Sequence, residues 1–432
     1  MKRHLEAELR RWSSSPRRKP LVLRGSRQVG KTHLLQHLGA EHYERVAYIN
    51  FEDDPEAADL FAGRLKLEDL LRRMSLHANV VIEPGNTLII LDEIQAAPRA
   101  LASLKFLHDH GSDYHVAAAG SLLGIKVAAD TFPVGKVDFL DLYPMSFLEF
   151  LGAVGEELAG THIETLQSLT PLTIHDRLIE LLKMYFLVGG MPEVVAAHAA
   201  GAEFTELRRI QRAIINGYEL DFAKHPGPAS SPKIQLIWEA VPKLLARENR
   251  KFLYGAIREG ARSREYESSL QWLFDAGLLM KARLVQTPKL PLSAYADGRA
   301  FKVYMNDVGL LGAMLRVPPE ILLRGHRIFD EFSGAFTENY VAQQLYPRTR
   351  ELYYWTSGAS AEVDFILQHG NEVLPLEVKA GINVKSQSLK LYGTRYQPGA
   401  LSRATARGAR TDGSIDNYPL YMVGVFPLET RS

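Results

Sequence analysis

Hydrophobic positions in the first third of the chain alternate between short apolar runs and longer stretches with helical spacing. Four of the runs predict strands, at Leu21–Arg24, Val46–Phe51, Leu88–Leu91 and Tyr114–Ala118. Strands that are separated by amphipathic helices are typical of a sheet with crossover helices. We therefore predict an α/β domain over residues 1–155.

The pattern becomes almost entirely helical after this domain. Leu178 and Leu182 lie on one face of a predicted helix, and the sequence Gly189-Gly190-Met191-Pro192 then interrupts the helical pattern. Residues 156–230 are therefore predicted to form a helical lid.

The rest of the chain mixes helical and β patterns. Residues 231–327 carry three helical patterns and then a hairpin candidate, Met280–Gln286 with Phe301–Met305, and this order predicts a winged-helix-like domain. Residues 328–432 are predicted to form a further α/β domain that ends with an exposed loop over Ser402–Ser414. The elements predicted within that last domain are a helix at Phe332–Leu345 and strands at Leu352–Trp355, Glu362–Gln368 and Glu372–Val378.

Composition excludes several classes of site. The 432 residues include no cysteine, so the chain has no disulfide, no thiolate metal site and no cysteine nucleophile. The formal net charge is +1, so any binding of nucleic acid must depend on a local basic patch. No apolar run approaches the ~18 residues that span a bilayer, so we expect no membrane partner and a cytoplasmic location.

A phosphate-binding loop is predicted directly after the first strand. Glycines let backbone N–H groups turn inward, Lys31 reaches the terminal phosphates, and the Thr32 hydroxyl holds Mg²⁺. A helix begins at the loop, and its N-terminal dipole favours an anion. The predicted nucleotide-binding residues are Gly25, Ser26, Arg27, Gln28, Val29, Gly30, Lys31 and Thr32.

The second half of the predicted site is an apolar strand that ends in two carboxylates. Asp92 is expected to hold Mg²⁺, and Glu93 is expected to act as general base on the attacking water. Ser121 follows the next strand, where its hydroxyl could sense the terminal phosphate. Arg27 and Lys136 are candidates for the charge that stabilises the transition state.

The order of these motifs resembles a prokaryotic family of AAA-type ATPases with a C-terminal domain called DUF4143. The resemblance implies ATP hydrolysis, with ATP and Mg²⁺ as cofactors. Gly190-Met191-Pro192 also resembles the Gly-x-Pro lid motif of signal-transducing ATPases, which implies a lid that responds to bound nucleotide. Lys136 stands where members of that family commonly carry arginine. The phrases that carry the resemblance are Gly25–Thr32, Leu91–Gln95, Leu142–Phe150, Gly189–Glu193, Ser269–Leu278, Asp307–Leu311 and Glu362–Phe365.

Polar residues also converge in the last domain. Asp364 and Glu377 lie on adjacent predicted strands, and Glu377 and Lys379 point to the same face because the side-chain period of a strand is two. With Glu338 upstream, this set resembles the restriction-endonuclease-like fold. That resemblance implies carboxylates that hold Mg²⁺ and a lysine that activates water. A solvated surface hairpin and a binding module that cuts nothing are the alternatives.

Arginines in the predicted winged helix suggest DNA as a partner. Arg258, Arg262 and Arg264 could contact phosphates, although Glu265 and Glu267 offset their charge. The sequence thus predicts an ATP-hydrolysing switch or motor that acts on DNA. The alternative is an ATP-dependent regulatory protein whose C-terminal domain binds a protein. A second copy of the chain and another protein are the remaining partner hypotheses.

Overall fold

The computed structural model describes residues 1–121, 135–224, 230–245, 252, 254–258, 260–318, 333–358, 361–380 and 386–428. The chain divides into two compact units. The N-terminal unit consists of residues 2–143 and 275–277, and the C-terminal unit consists of residues 1, 144–274 and 278–432. No helix among the described residues is long and apolar enough to cross a membrane.

The N-terminal unit is a five-stranded parallel sheet with helices, as the hydrophobic pattern predicts. The strand order is β2-β3-β4-β1-β5, and every neighbouring pair is parallel. Its strands are β1 (Leu21–Gly25), β2 (Arg45–Asn50), β3 (Thr87–Asp92), β4 (His115–Ser121) and β5 (Asp138–Asp141). Its helices are α1 (Glu6–Ser14), α2 (Lys31–His42), α3 (Leu67–Ala78) and α4 (Pro98–His110), with short 3₁₀ turns at Pro55–Phe61 and Ile94–Ala96.

Strand β3 is at the centre of this unit. All six of its residues are buried, which explains why the sequence shows a continuous apolar run and not an alternating one. Strand β5 is not among the predicted strands. It is a half-buried edge strand whose Asp141 carboxylate accepts two hydrogen bonds from the Arg24 guanidinium, at 2.8 and 3.0 Å.

The C-terminal unit begins with a helical region and continues into a mixed sheet. The first helices are α5 (Phe147–Ala153), α6 (Glu157–Glu164), α7 (His175–Val188), α8 (Pro192–Ala199), α9 (Phe204–Lys224), α10 (Ser231–Leu245) and α11 (Ser263–Asp275). The later helices are α12 (Val308–Met314), α13 (Ser333–Thr349) and α14 (Gln387–Tyr396), and 3₁₀ turns occur at Tyr254–Ala256, Leu292–Tyr295 and Leu420–Val425. The strands are β6 (Leu279–Val285), β7 (Ala296–Met305), β8 (Leu352–Thr356), β9 (Glu362–His369), β10 (Glu372–Lys379), β11 (Leu401–Thr405), β12 (Arg410–Asp412) and β13 (Ile415–Pro419).

The eight strands form one sheet in the order β12-β13-β11-β10-β9-β8-β6-β7. The hairpin expected at Met280–Gln286 and Phe301–Met305 is present as the antiparallel pair β6 and β7. Strand β6 also pairs in parallel with β8, so the hairpin belongs to the same sheet as the last strands. The winged-helix and restriction-endonuclease-like identities of these regions remain predictions.

The prediction of an exposed loop at Ser402–Ser414 is wrong. This stretch contains β11 and β12, and Ser402, Arg403 and Thr405 are buried. Their polar groups are satisfied inside the sheet, because Arg403 Nε and Thr405 Oγ1 both donate to Asn417 Oδ1, at 3.1 and 2.8 Å. A polar sequence therefore forms the buried strand β11, since its side chains bond to neighbouring polar groups, whereas β12 is largely exposed.

A buried polar junction joins the helical region to the later helices of the C-terminal unit. Asp307 Oδ2 accepts a hydrogen bond from the Gly190 N–H at 2.6 Å and another from Gln343 Nε2 at 3.2 Å. The Tyr185 hydroxyl donates to the Met145 carbonyl at 2.5 Å. The Gly190 carbonyl accepts from the Met145 N–H at 2.6 Å. Burial raises the pKa of Asp307.

Glycine is required at the interruption of the helical pattern. A Cβ atom on Gly190 would lie 2.1 Å from the Met145 carbonyl oxygen, and one on Gly189 would lie 2.2 Å from Asp307 Oδ1. Three motifs of the sequence, at Leu142–Phe150, Gly189–Glu193 and Asp307–Leu311, thus contact one another. The groups in contact are the Met145 and Gly190 backbones and the Asp307 carboxylate. Packing alone is a sufficient reason for those residue types, and the nucleotide-responsive lid stays a prediction.

Candidate functional site

The predicted phosphate loop follows β1 and leads into α2 in the N-terminal unit. Gln28 and Gly30 have positive φ values of 65° and 92°, so the loop turns sharply before the helix begins at Lys31. A Cβ atom on Gly25 would lie 2.3 Å from the Leu142 carbonyl oxygen, so only glycine fits at the start of the loop. The local geometry is that of a strand, a tight loop and a helix N-terminus, which together favour an anion.

Lys31 is buried beneath the loop. Its Nζ donates to the carbonyl oxygens of Gly25 at 3.2 Å and Ser26 at 3.0 Å. Burial lowers the pKa of Lys31, while the carboxylates of Glu93 and Asp92 act in the opposite direction. The ammonium is thus held beneath the loop backbone, next to the two carboxylates of the site.

Asp92 is the centre of the hydrogen-bond network at this sheet edge. Its Oδ2 accepts from Thr32 Oγ1 at 2.7 Å and from the Tyr48 hydroxyl at 2.9 Å, and its Oδ1 accepts from the Glu93 N–H at 3.0 Å. The structure therefore brings together the hydroxyl and the carboxylate that the sequence assigns to Mg²⁺. Hard oxygen ligands of this kind fit Mg²⁺, which usually takes only one or two protein ligands beside phosphates and water.

Tyr48 is a site residue that the sequence interpretation missed. Burial, reinforced by the Asp92 carboxylate, raises the pKa of Tyr48 to about 12, so its hydroxyl remains a proton donor at neutral pH. Asn50 Nδ2 donates to the same hydroxyl at 3.2 Å. The available signal was the alternation of Tyr48 and Asn50 along β2, which places both side chains on one face.

Glu93 follows Asp92 in the left-handed conformation, with φ 48° and ψ 44°. Its Oε2 accepts a hydrogen bond from Gln95 Nε2 at 2.5 Å. Gln95 lies within the Leu91–Gln95 phrase, yet the sequence interpretation gave it no role. The amide fixes the direction of the carboxylate that is predicted to act as general base.

The remaining predicted residues lie at both edges of the sheet. Ser121 and Arg27 are at the carboxyl edge with the loop, whereas Lys136 precedes β5 at the amino edge. Strand β4 lies between β3 and β1, and Ser121 pairs in register with Gly25. Arg27 is bound to Glu52 with a distance of 2.9 Å, and Lys136 is bound to Asp109 at 2.7 Å. Both candidate cations are therefore engaged with carboxylates, on partly exposed side chains.

A second group of charges lies in the C-terminal unit. Lys302 on β7 places its Nζ 2.9 Å from Glu338 Oε1, 2.6 Å from Glu362 Oε1 and 3.7 Å from Asp364 Oδ1. The sequence interpretation expected Glu338 and Asp364 to be close, and it missed Lys302 and Glu362. The Tyr304 hydroxyl donates to the same Glu338 oxygen at 2.5 Å.

Glu377 and Lys379 form a separate pair on β10, with 3.2 Å between Oε1 and Nζ. Burial raises the pKa of Glu377, and the nearby Lys379 opposes that shift. Asp364 Oδ2 accepts a hydrogen bond from the Val378 N–H at 2.8 Å. Among the described residues, no group of three or more His, Asp or Glu side chains is arranged to hold a metal ion. The Mg²⁺ site at Glu338, Asp364 and Glu377 stays a prediction.

Comparisons with protein families cover most of the chain. A family described as an AAA domain matches residues 17–151. Two families described as domains of unknown function, DUF8612 and DUF4143, match residues 179–321 and 333–428. The AAA domain and DUF4143 confirm the resemblance drawn from the motifs. No curated protein matches the sequence.

Solved structures give distant similarities. The Walker-type ATPase PABY2304 of Pyrococcus abyssi is 14% identical, with a TM-score of 0.45, over 73% of this chain and 95% of that one. A signal transduction ATPase with numerous domains and a tetratricopeptide repeat sensor, PH0952 from Pyrococcus horikoshii, is 14% identical, with a TM-score of 0.27, over 79% and 45%. The Drosophila ORC bound to DNA is 12% identical, with a TM-score of 0.25, over 72% and 85%.

The contact between Tyr48 and Asp92 gives a first test. We expect Tyr48→Phe to raise the Mg²⁺ concentration that nucleotide binding requires by up to about tenfold. The reason is that one hydrogen bond contributes ~0.5–1.5 kcal/mol. A titration of fluorescent nucleotide at several Mg²⁺ concentrations measures this effect. Tyr295→Phe is the matched control, because Tyr295 is exposed and belongs to the C-terminal unit. Equal Mg²⁺ dependence in Tyr48→Phe and the control would show that Tyr48 does not support Asp92.

Proposed function

Since this chain belongs to the AAA-type ATPases that carry a C-terminal DUF4143 domain, we propose that it binds ATP with Mg²⁺ and hydrolyses it to ADP and phosphate. The observation that carries the proposal is the 2.7 Å bond between Thr32 and Asp92 beside the buried Lys31. A hydroxyl, a carboxylate and an ammonium at the N-terminus of one helix are the groups that bind a metal-bound triphosphate.

In this proposal each residue has a distinct task. The N–H groups of the loop and Lys31 bind the phosphates, and Thr32 with Asp92 would hold Mg²⁺. When bound there, Mg²⁺ would supply positive charge that offsets the negative charge developing on the phosphates. Glu93, directed by Gln95, accepts a proton from water as the water oxygen attacks the terminal phosphorus. The bond from that phosphorus to the ADP oxygen then breaks. Ser121 contacts the terminal phosphate.

We further propose that a second copy of the chain completes the ATP site. Transition states of this kind gain from an additional cation, and both candidates, Arg27 and Lys136, are bound to carboxylates in their own unit. The pair of Lys136 and Asp109 is partly exposed, and such pairs contribute only about 0–1 kcal/mol. Lys136 can therefore exchange Asp109 for a phosphate of a neighbouring subunit at little cost.

The C-terminal unit supports two proposals about the partner. Arg258, Arg262 and Arg264 are exposed at and just before the start of α11, where three cations favour the phosphates of DNA. This supports a switch or motor that acts on DNA. The alternative is an ATP-controlled regulatory protein, which the ion pairs around Lys302 favour because they require no cleavage chemistry in this unit.

The separate tasks of Lys31 and Glu93 lead to opposite expected results. Lys31→Ala should abolish nucleotide binding, because lysine neutralises phosphate charge in the ground state. Glu93→Gln should bind ATP and retain it, because the carboxylate acts only on the attacking water. Fluorescent-nucleotide titration beside phosphate release measures both effects. Lys105→Ala and Glu44→Gln are matched controls at exposed positions. Hydrolysis by Glu93→Gln at the wild-type rate would refute the general-base assignment.

Completion of the site by a second copy is tested by mixing two inactive variants. Lys31→Ala has a dead site but an intact Lys136, and Lys136→Ala has an intact site without that cation. We expect each variant alone to release little phosphate and an equal mixture to regain activity, with specific activity of the wild type rising with concentration. A fully active Lys136→Ala protein, or a mixture no more active than that variant alone, would exclude Lys136 as the shared group.

Stimulation by DNA separates the two proposals about the partner. We expect single-stranded, double-stranded or branched DNA to raise the ATPase rate. Replacing Arg258, Arg262 and Arg264 by glutamine should lower the slope of log affinity against log salt by about 1 for each lost phosphate contact. The control replaces the exposed arginines Arg17, Arg64 and Arg99 of the N-terminal unit. An ATPase rate that no DNA changes would favour the regulatory protein.

A further inference from the structure

We propose that Lys302 is the resident cation of the carboxylates of Glu338, Glu362 and Asp364, so that this cluster neither needs nor takes up a divalent metal ion. The proposal goes beyond ATP hydrolysis, because all four residues belong to the C-terminal unit. It also replaces the metal that the resemblance to restriction-endonuclease-like folds implies.

The burial of Lys302 and Glu338 supports this proposal. The side chains of Lys302 and Glu338 are 1% and 0% exposed, and their charged atoms lie 2.9 Å apart. A charge that is taken out of water persists only when opposite charge and hydrogen bonds compensate for the lost hydration. The ring of Tyr354 lies 5.1 Å from Lys302 Nζ and adds a cation–π contact. The ammonium is thus built into the core of this unit.

Lys302 and a metal ion would compete for the same carboxylate oxygens. Each of the three carboxylates directs an oxygen toward Lys302 Nζ, at 2.6, 2.9 and 3.7 Å. A Mg²⁺ ion needs such oxygens at about 2.0–2.1 Å and would stand next to the ammonium. The two cations would repel each other, and the burial of Lys302 and Glu338 limits the screening of that repulsion by solvent. An oxygen that contacts the ammonium is therefore less available to a metal ion.

One oxygen of the other carboxylate of the expected metal site is also engaged. Glu377 Oε1 faces Lys379 Nζ at 3.2 Å, and Asp364 Oδ2 accepts the Val378 N–H. The side chains that would form one metal site thus divide into two lysine-centred groups among the described residues. In this proposal the carboxylates around Lys302 bind no divalent metal ion.

Titration of the full chain with Mn²⁺ tests the proposal. Every protein carries Asp92→Asn, so that the ATP site contributes no ion binding. We expect this parent to give no saturable heat in calorimetry and no shift in its thermal midpoint with Mn²⁺. We expect Lys302→Met to have a lower thermal midpoint, because three carboxylates lose their cation. Millimolar Mn²⁺ should raise that midpoint again. Lys289→Met is the matched control at an exposed position and should behave as the parent does.

A second variant keeps the test decisive if Lys302→Met fails to fold. The double variant Lys302→Met with Glu338→Gln removes one positive and one negative buried charge, so it should fold and respond less to Mn²⁺ than Lys302→Met. Saturable Mn²⁺ uptake by the parent that Asp364→Asn removes would overturn the proposal. A folded Lys302→Met protein whose midpoint is indifferent to Mn²⁺ would overturn it too. These results do not depend on whether the chain hydrolyses ATP.

Discussion

A charged group that folding removes from water must find its compensation inside the protein, and this constraint organises both units of the chain. Asp92 in the N-terminal unit accepts three hydrogen bonds, from Thr32, Tyr48 and the Glu93 backbone. Asp307 in the C-terminal unit accepts bonds from Gly190, Leu310 and Gln343. In each case the donors come from different elements, so a single carboxylate fixes the mutual positions of several segments.

The same constraint distinguishes the two groups of acidic residues. Asp92, which is predicted to hold Mg²⁺, has neutral donors around Oδ2, and the nearby lysine contacts backbone oxygens. Glu338 instead has an ammonium directly on its oxygen. Identical residue types therefore suit different chemistry, because the charge of the nearest donor decides whether a further cation is tolerated.

The hydrophobic pattern predicted the parallel sheet of the N-terminal unit because its inner strands are continuous apolar runs. It missed β5, since Asp138 and Asp141 interrupt the apolar residues of a half-buried edge strand. Spacing predicted Lys31 and Thr32, because a phosphate loop is local in sequence, and the apolar run before Asp92 predicted the strand that brings its carboxylate to Thr32. The sequence pattern did not predict a buried role for Lys302. A lysine in an alternating strand is expected to face water, but the neighbouring Phe301, Val303 and Tyr304 are buried as well, so both faces of β7 are covered.

The shared sheet of the C-terminal unit has a consequence for the order in which the chain acquires its structure. Strand β6 is flanked on one side by β7, which follows it closely, and on the other by β8, which begins only at Leu352. During synthesis the hairpin of β6 and β7 therefore leaves the ribosome with an open edge, and such an edge is prone to pair with other chains. The N-terminal sheet draws all its strands from residues before Leu142 and can close earlier. The stretch of synthesis between β7 and β8 is thus the interval in which this edge is open to mispairing.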